Sequence, residues 1–167
     1  AAPGRTWYPQ SFMAPIAANE PYLSRSLEMV GATLEMIDVA GIPSSRVILL
    51  GFSQGACLAT EFVARNPRRY GGLAALTGGL IGPPDGLPTY DGSLRGTPVF
   101  LGAGDPDAHV PWTRVEETAQ VLREMEADIT LRRYPGMPHR ISEDQVEAVR
   151  VLLASLREET SGEEDIS

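Results

Sequence analysis

The sequence predicts an α/β protein, a mostly parallel sheet covered by helices on both faces. Three observations carry that prediction. Short apolar runs rich in β-branched residues alternate with longer runs in which apolar residues recur every three or four positions. One such strand passes into one such helix through Gly51-Phe52-Ser53-Gln54-Gly55, a junction too short for anything but a sharp turn. The 167 residues, 43% of them hydrophobic, suit one domain with a substantial core.

The chain begins with an irregular segment, residues 1–19, broken by prolines at 3, 9 and 15. Trp7, Tyr8, Phe12 and Met13 lie in it, and apolar groups of that size in a loop cover either the core or a pocket. Asn19 is placed to cap a helix entered at Glu20-Pro21. Leu23, Leu27, Val30, Leu34 and Ile37 then mark one apolar face up to Gly41-Ile42-Pro43. Arg46 to Leu50 is the first strand, and Gln54 to Asn66 a helix with Leu58, Phe62 and Val63 on one face.

Residues 71–77 and 97–102 read as two further buried strands, separated by a proline- and glycine-rich excursion over 78–96. Val115 to Met125 marks a helix and Ile129 to Tyr134 a strand. Ser142 with Gln145 forms a capping box for the last helix, whose apolar face is Val146, Val149, Leu152, Leu153 and Leu156. After Arg157 the chain turns polar and acidic, so residues 158–167 are expected to form a disordered tail.

Composition excludes several functions. The net charge is −8, all 14 basic side chains are arginine, and none cluster into a positive face, which argues against nucleic acid. No apolar run reaches the length of a membrane span and no signal peptide is visible, so the expected location is cytoplasmic. One cysteine and two histidines leave little from which to build a zinc site. Metal dependence is not expected, and Cys57 reads as a packing residue.

A serine at a strand-to-helix junction is presented rather than packed. In G-x-S-x-G the serine backbone is strained, its neighbours are kept small, and the N–H of the next residue, Gln54, points where an oxyanion would form. Serine needs a base, and only His109 and His139 are available. His139 follows the last strand through Tyr134-Pro135-Gly136-Met137-Pro138, at the carboxyl edge of the sheet where such folds bind ligands. His109 reads as a loop partner.

An acid should follow the strand between serine and histidine, and the segment Gly104 to Pro111 does so. Two counts disagree on which aspartate it is. Counting forward from Gly102 gives Asp105; counting back from Val110-Pro111 gives Asp107, the first residue of D-x-x-V-P. Asp105 is preferred because strand ends are rigid, with Asp107 as the alternative.

The motifs WYPQSF, GFSQGA, LTGGLIGP, DPDAHVP and YPGMPH, in this order, resemble the bacterial and archaeal branch of the phospholipase/carboxylesterase family, relatives of acyl-protein thioesterases and dienelactone hydrolases. The similarity runs from near residue 1 to about residue 157. It implies an α/β-hydrolase domain over 1–157, with the family's N-terminal strands and second oxyanion loop missing from this chain. It also implies Ser53 as nucleophile, His139 as base, an acid in the aspartate loop and the Gln54 N–H as oxyanion donor. The expected reaction is hydrolysis of small carboxylic esters through an acyl-enzyme, without cofactor. Thioesterase or lysophospholipase activity would use the same residues, and a non-catalytic binding module with an incomplete oxyanion hole is the competing class. Trp7, Leu80 and Ile81, from the two irregular segments, are the expected substrate-binding residues. The expected partner is a small-molecule ester, with a homodimer as the assembly the sequence allows.

Overall fold

The computed structural model describes residues 6–164, with side chains to residue 156. Strands β1 (Ile48–Phe52), β2 (Gly72–Leu76), β3 (Pro98–Asp105) and β4 (Asp128–Pro135) alternate with helices α1 (Tyr22–Val39), α2 (Gln54–Arg65), α3 (Trp112–Glu124) and α4 (Glu143–Glu164). All pairings are parallel, in the spatial order β1-β2-β3-β4. Every crossover therefore returns the chain to the same end, and Phe52, Leu76, Asp105 and Pro135 lie along one edge of the sheet.

The period of two along each strand sorts its residues between two layers. Leu49, Leu73, Ala75, Val99, Leu101 and Ala103 join Leu23, Leu27, Phe62, Val63, Val115 and Leu122 of α1, α2 and α3 in one core. The intervening positions face α4, where a Cβ on Gly72 would meet the Leu152 side chain and Gln145 Nε2 donates to the Gly102 carbonyl at 2.9 Å. The sheet is thus covered on both faces, as the alternating pattern predicts. The capping box forms: Ser142 N–H donates to Gln145 Oε1 at 2.9 Å and Gln145 N–H to Ser142 Oγ at 3.2 Å.

Four details differ from the sequence reading. β1 and β3 run on past the ends read for them at Leu50 and Gly102, to Phe52 and Asp105. Asn19 does not cap α1; it is fully buried and bonds residues 10 and 11, while Glu20 takes the Ser24 N–H at 3.2 Å. Leu153 is exposed, since Leu152 alone of that pair turns to the sheet. α4 stays helical to Glu164, past the boundary expected at Arg157, and residues 165–167 of the expected tail lie outside the described residues.

The excursion over 78–96 has no regular structure yet runs deep. Leu80, Ile81 and Leu94 are fully buried. Its backbone is satisfied by side chains: Ile81 N–H donates to Glu61 Oε2 at 2.9 Å and Leu80 N–H to Thr118 Oγ1 at 3.0 Å. The buried Arg114 gives Nη1 to the Leu80 and Gly82 carbonyls and Nη2 to that of Pro83. No helix among the described residues is long and apolar enough to cross a membrane.

Candidate active site

β1 ends one residue before Ser53 and α2 begins one residue after it, so a single residue makes the turn. Ser53 adopts φ 54° and ψ −121°, a conformation that costs an L-residue about 1–3 kcal/mol and persists only when its surroundings impose it. Here they do: Ser53 N–H donates to the Leu76 carbonyl of β2 and Cys57 N–H to the Ser53 carbonyl, both at 3.0 Å. A Cβ on Gly51 would overlap the Gly55 carbonyl and the Ala56 nitrogen. A Cβ on Gly55 would make ordinary contact with Trp7 Nε1 at 3.8 Å. The steric demand that the sequence reading assigns to both glycines therefore falls on Gly51. Gln54, the first residue of α2, has no intrahelical acceptor for its N–H, which stays available beside the serine.

His139 comes from the loop after β4. That loop lies directly on β3, because a Cβ on Gly104 would collide with the Met137 carbonyl. The imidazole Nε2 stands 2.8 Å from Ser53 Oγ. Its Nδ1 lies 2.8 Å and 3.1 Å from the two carboxylate oxygens of Asp107. An ionised carboxylate only accepts, so Nδ1 carries the proton and Nε2 is left to accept from the serine hydroxyl. The ring is held laterally as well, between Phe52 at 5.1 Å and His109, edge-on, at 4.7 Å between centroids.

Asp107 is fixed in turn. Its Oδ1 accepts the N–H groups of His109 at 2.7 Å and Val110 at 2.9 Å, and its side chain is closed off from solvent. Burial by itself would raise this carboxyl, but the two amides and the His139 imidazole outweigh it and hold the group below the usual carboxylate range.

The aspartate that meets His139 is Asp107, the alternative, and not the preferred Asp105. β3 runs three residues beyond Gly102, so counting from Gly102 stops inside the strand. Asp105 sits opposite Pro135 of β4 and its carboxylate takes Arg133 Nε at 2.7 Å. Two further residues are needed for the chain to turn toward His139.

The substrate-binding expectations change too. A hollow of about 340 Å³ opens beside Ser53, lined by Tyr8, Gln10, Ser11, Phe12, Gln54, His109 and His139. Leu80 and Ile81 do not reach it: both are sealed into the core by the bonds to Thr118, Glu61 and Arg114. Trp7 is not among the lining residues either: its indole lies over the start of α2, and the hollow is bordered instead by Tyr8, Gln10, Ser11 and Phe12 of the same segment. Sequence reasoning found the segment and missed which side of it faces Ser53. Sequence reasoning also missed Phe52, exposed at the end of β1 and in contact with the His139 ring; its place beside Ser53 in the junction is the signal for it.

A serine in a strained turn, an imidazole against its hydroxyl and a carboxylate behind the imidazole, all at the carboxyl edge of a parallel sheet, define the class: an α/β-hydrolase fold in which a serine, a histidine and an aspartate are hydrogen-bonded in series. Comparison with known proteins narrows it. The family model described as Phospholipase/Carboxylesterase matches residues 2–156, and the chain belongs to that family. Among curated relatives, acyl-protein thioesterase 1 of Debaryomyces hansenii is 31% identical over 115 residues, 67% of this chain and 49% of its own length. That of Kluyveromyces lactis is 30% identical over 140 residues, 81% of this chain and 61% of its own. A phospholipase/carboxylesterase structure from Dyadobacter fermentans is 44% identical with TM-score 0.83, covering 90% of this chain and 70% of that one. The Arabidopsis thaliana SOBER1 structure shares the fold, with TM-score 0.74 at 20% identity over 90% of this chain and 73% of that one. The chain spans about half the length of the first curated relatives it matches.

Proposed function

We propose that the protein is a serine hydrolase that cleaves small carboxylic esters through an acyl-enzyme. The observation that carries this reading is the 2.8 Å approach of His139 Nε2 to Ser53 Oγ, with Asp107 bound to Nδ1. As Oγ attacks the carbonyl carbon, Nε2 takes its proton, and Asp107 steadies the imidazolium that forms without taking a proton itself. The carbonyl oxygen becomes an oxyanion and the Gln54 N–H, at the start of α2, donates to it. The carbon–oxygen bond to the leaving alcohol then breaks and His139 returns the proton to that alcohol, leaving the acyl group on Ser53. Water, deprotonated by His139, repeats the sequence and releases the acid.

A second reading rests on a specific observation: relatives 30–31% identical bear the name acyl-protein thioesterase. The same residues would open a thioester, with a thiol as leaving group. Matched p-nitrophenyl ester and acyl-thiol substrates, assayed with wild type and Ser53→Ala, test both. Ester turnover lost in Ser53→Ala supports the main reading, and faster thioester turnover supports the second. Hydrolysis of both by Ser53→Ala at the wild-type rate would reject the mechanism.

A further inference from the structure

Segment 7–12, which supplies Tyr8, Gln10, Ser11 and Phe12 to the wall of the hollow, has no strand partner, yet most of its polar backbone is satisfied. The means is the same device used twice. Trp7 N–H donates to Gln54 Oε1 at 2.8 Å while Gln54 Nε2 donates to the Tyr8 carbonyl at 2.9 Å. Three residues on, Gln10 N–H donates to Asn19 Oδ1 at 2.8 Å while Asn19 Nδ2 donates to the Ser11 carbonyl at 3.1 Å. Each side-chain amide accepts from the N–H of one residue and donates to the C=O of the next, so one planar group satisfies a donor and an acceptor of the segment. Ser26 Oγ on the Trp7 carbonyl and Gly82 N–H on that of Phe12 complete the set.

The two brackets differ in what they are attached to. Asn19 belongs to the turn before α1, whereas Gln54 directly follows Ser53 and carries the N–H assigned to the oxyanion. Only an amide of glutamine length supplies an acceptor and a donor at this reach; glutamate offers two acceptors, and asparagine is one methylene short.

We infer that the Gln54 side chain is a positioning residue that fixes the 7–12 wall in register with the Ser53 hydroxyl, so that the acyl group is measured against a wall tied to the nucleophile's own neighbour. This rests on Ser53 being the nucleophile. Gln54→Met keeps side-chain length and helix propensity and removes both bonds; Gln54→Glu keeps only the acceptor for Trp7.

The test uses the full-length protein and two readouts, amide hydrogen exchange over residues 6–13 and kcat and KM for p-nitrophenyl acetate and hexanoate. In Gln54→Met, exchange over 6–9 should accelerate by at least about tenfold, given two lost hydrogen bonds. KM for hexanoate should rise by about tenfold, clearly more than for acetate, while kcat falls less than about threefold. Gln54→Glu should lie between the two, and it carries the test if Gln54→Met fails to fold. Wild-type exchange, or loosened exchange with an unchanged acetate-to-hexanoate preference, would overturn the inference. So would a kcat loss beyond about a hundredfold with unchanged KM, which would make the side chain a participant in the chemistry. Absence of Ser53-dependent turnover in wild type would instead defeat the hydrolase reading, and the exchange data would still report on the bracket.

Discussion

His139 Nδ1 meets the carboxylate of Asp107, whereas Asp105, two residues earlier, is turned away and paired with Arg133. The pairing makes Asp107 the acid of the proposed relay. Asp107→Asn should therefore lower kcat by about 10⁴-fold with little change in KM, because an amide in that place favours the wrong imidazole tautomer. Asp105→Asn should keep activity within about tenfold of wild type, since an ion pair with a half-exposed arginine contributes roughly 0–1 kcal/mol. Steady-state kinetics on the two variants decide the assignment, and a crippled Asp105→Asn with an active Asp107→Asn would reverse it.

The same carboxyl links pH to stability. Its pKa in the folded protein lies below the unfolded value of about 3.9, so its contribution is complete above that value and is lost as pH falls through the lower folded one. The stability deficit of Asp107→Asn relative to wild type should be larger at pH 7 than at pH 3 in urea titrations. A deficit that grows on acidification would contradict the environment described for Asp107.

Ser53 stores backbone strain that a glycine would not feel. Ser53→Gly should be more stable than Ser53→Ala by about 1 kcal/mol, with both devoid of ester hydrolysis. Equal or reversed midpoints in chemical denaturation would show that the turn is unstrained.

Gly104 allows the loop that carries His139 to rest on β3, and its obstruction would be backbone, which has little room to yield. Gly104→Ala should displace the Met137 to His139 loop and lower kcat by about 10²-fold, the scale expected for a misplacement of about 1 Å. A crystal structure of the variant with His139 unmoved, or unchanged kinetics, would refute this.

Cys57 lies one helical turn beyond Ser53, but burial pushes its thiol up to about 12, outweighing the Gly79 N–H that favours the thiolate. Iodoacetamide at pH 8 should leave the native protein unlabelled and fully active and should label it once unfolded. Loss of activity on alkylation of the native protein would reopen the question of which residue is the nucleophile.

Much of this was legible in the sequence, for physical reasons that also mark the limits. Ser53 was readable because a single residue joining a buried strand to an amphipathic helix leaves the side chain only one direction, and His139 because the sheet's carboxyl edge is fixed by the order of elements. The aspartate that meets His139 was not, because Gly102 reads as the end of a strand that continues to Asp105, with Gly102 and Gly104 making room for Phe100 and the Met137 loop. The burial of Leu80 and Ile81 was not legible because a proline- and glycine-rich stretch reads as surface; the groups that draw it inward, Glu61, Thr118 and Arg114, are polar residues on helices 20 to 38 residues away in sequence. Asn19 looked like a helix cap for the same reason that it serves the 7–12 wall, an amide beside unsatisfied backbone, and only the tertiary fold decides which backbone it meets.

In the proposed mechanism Ser53 is activated by His139. A fluorophosphonate probe on the full-length protein, followed by peptide mass spectrometry, tests it most directly. One adduct is expected, on Ser53, that disappears in Ser53→Ala and forms far more slowly in His139→Ala. No adduct on a folded protein that nevertheless hydrolyses esters, or an adduct that forms equally fast without His139, would contradict it.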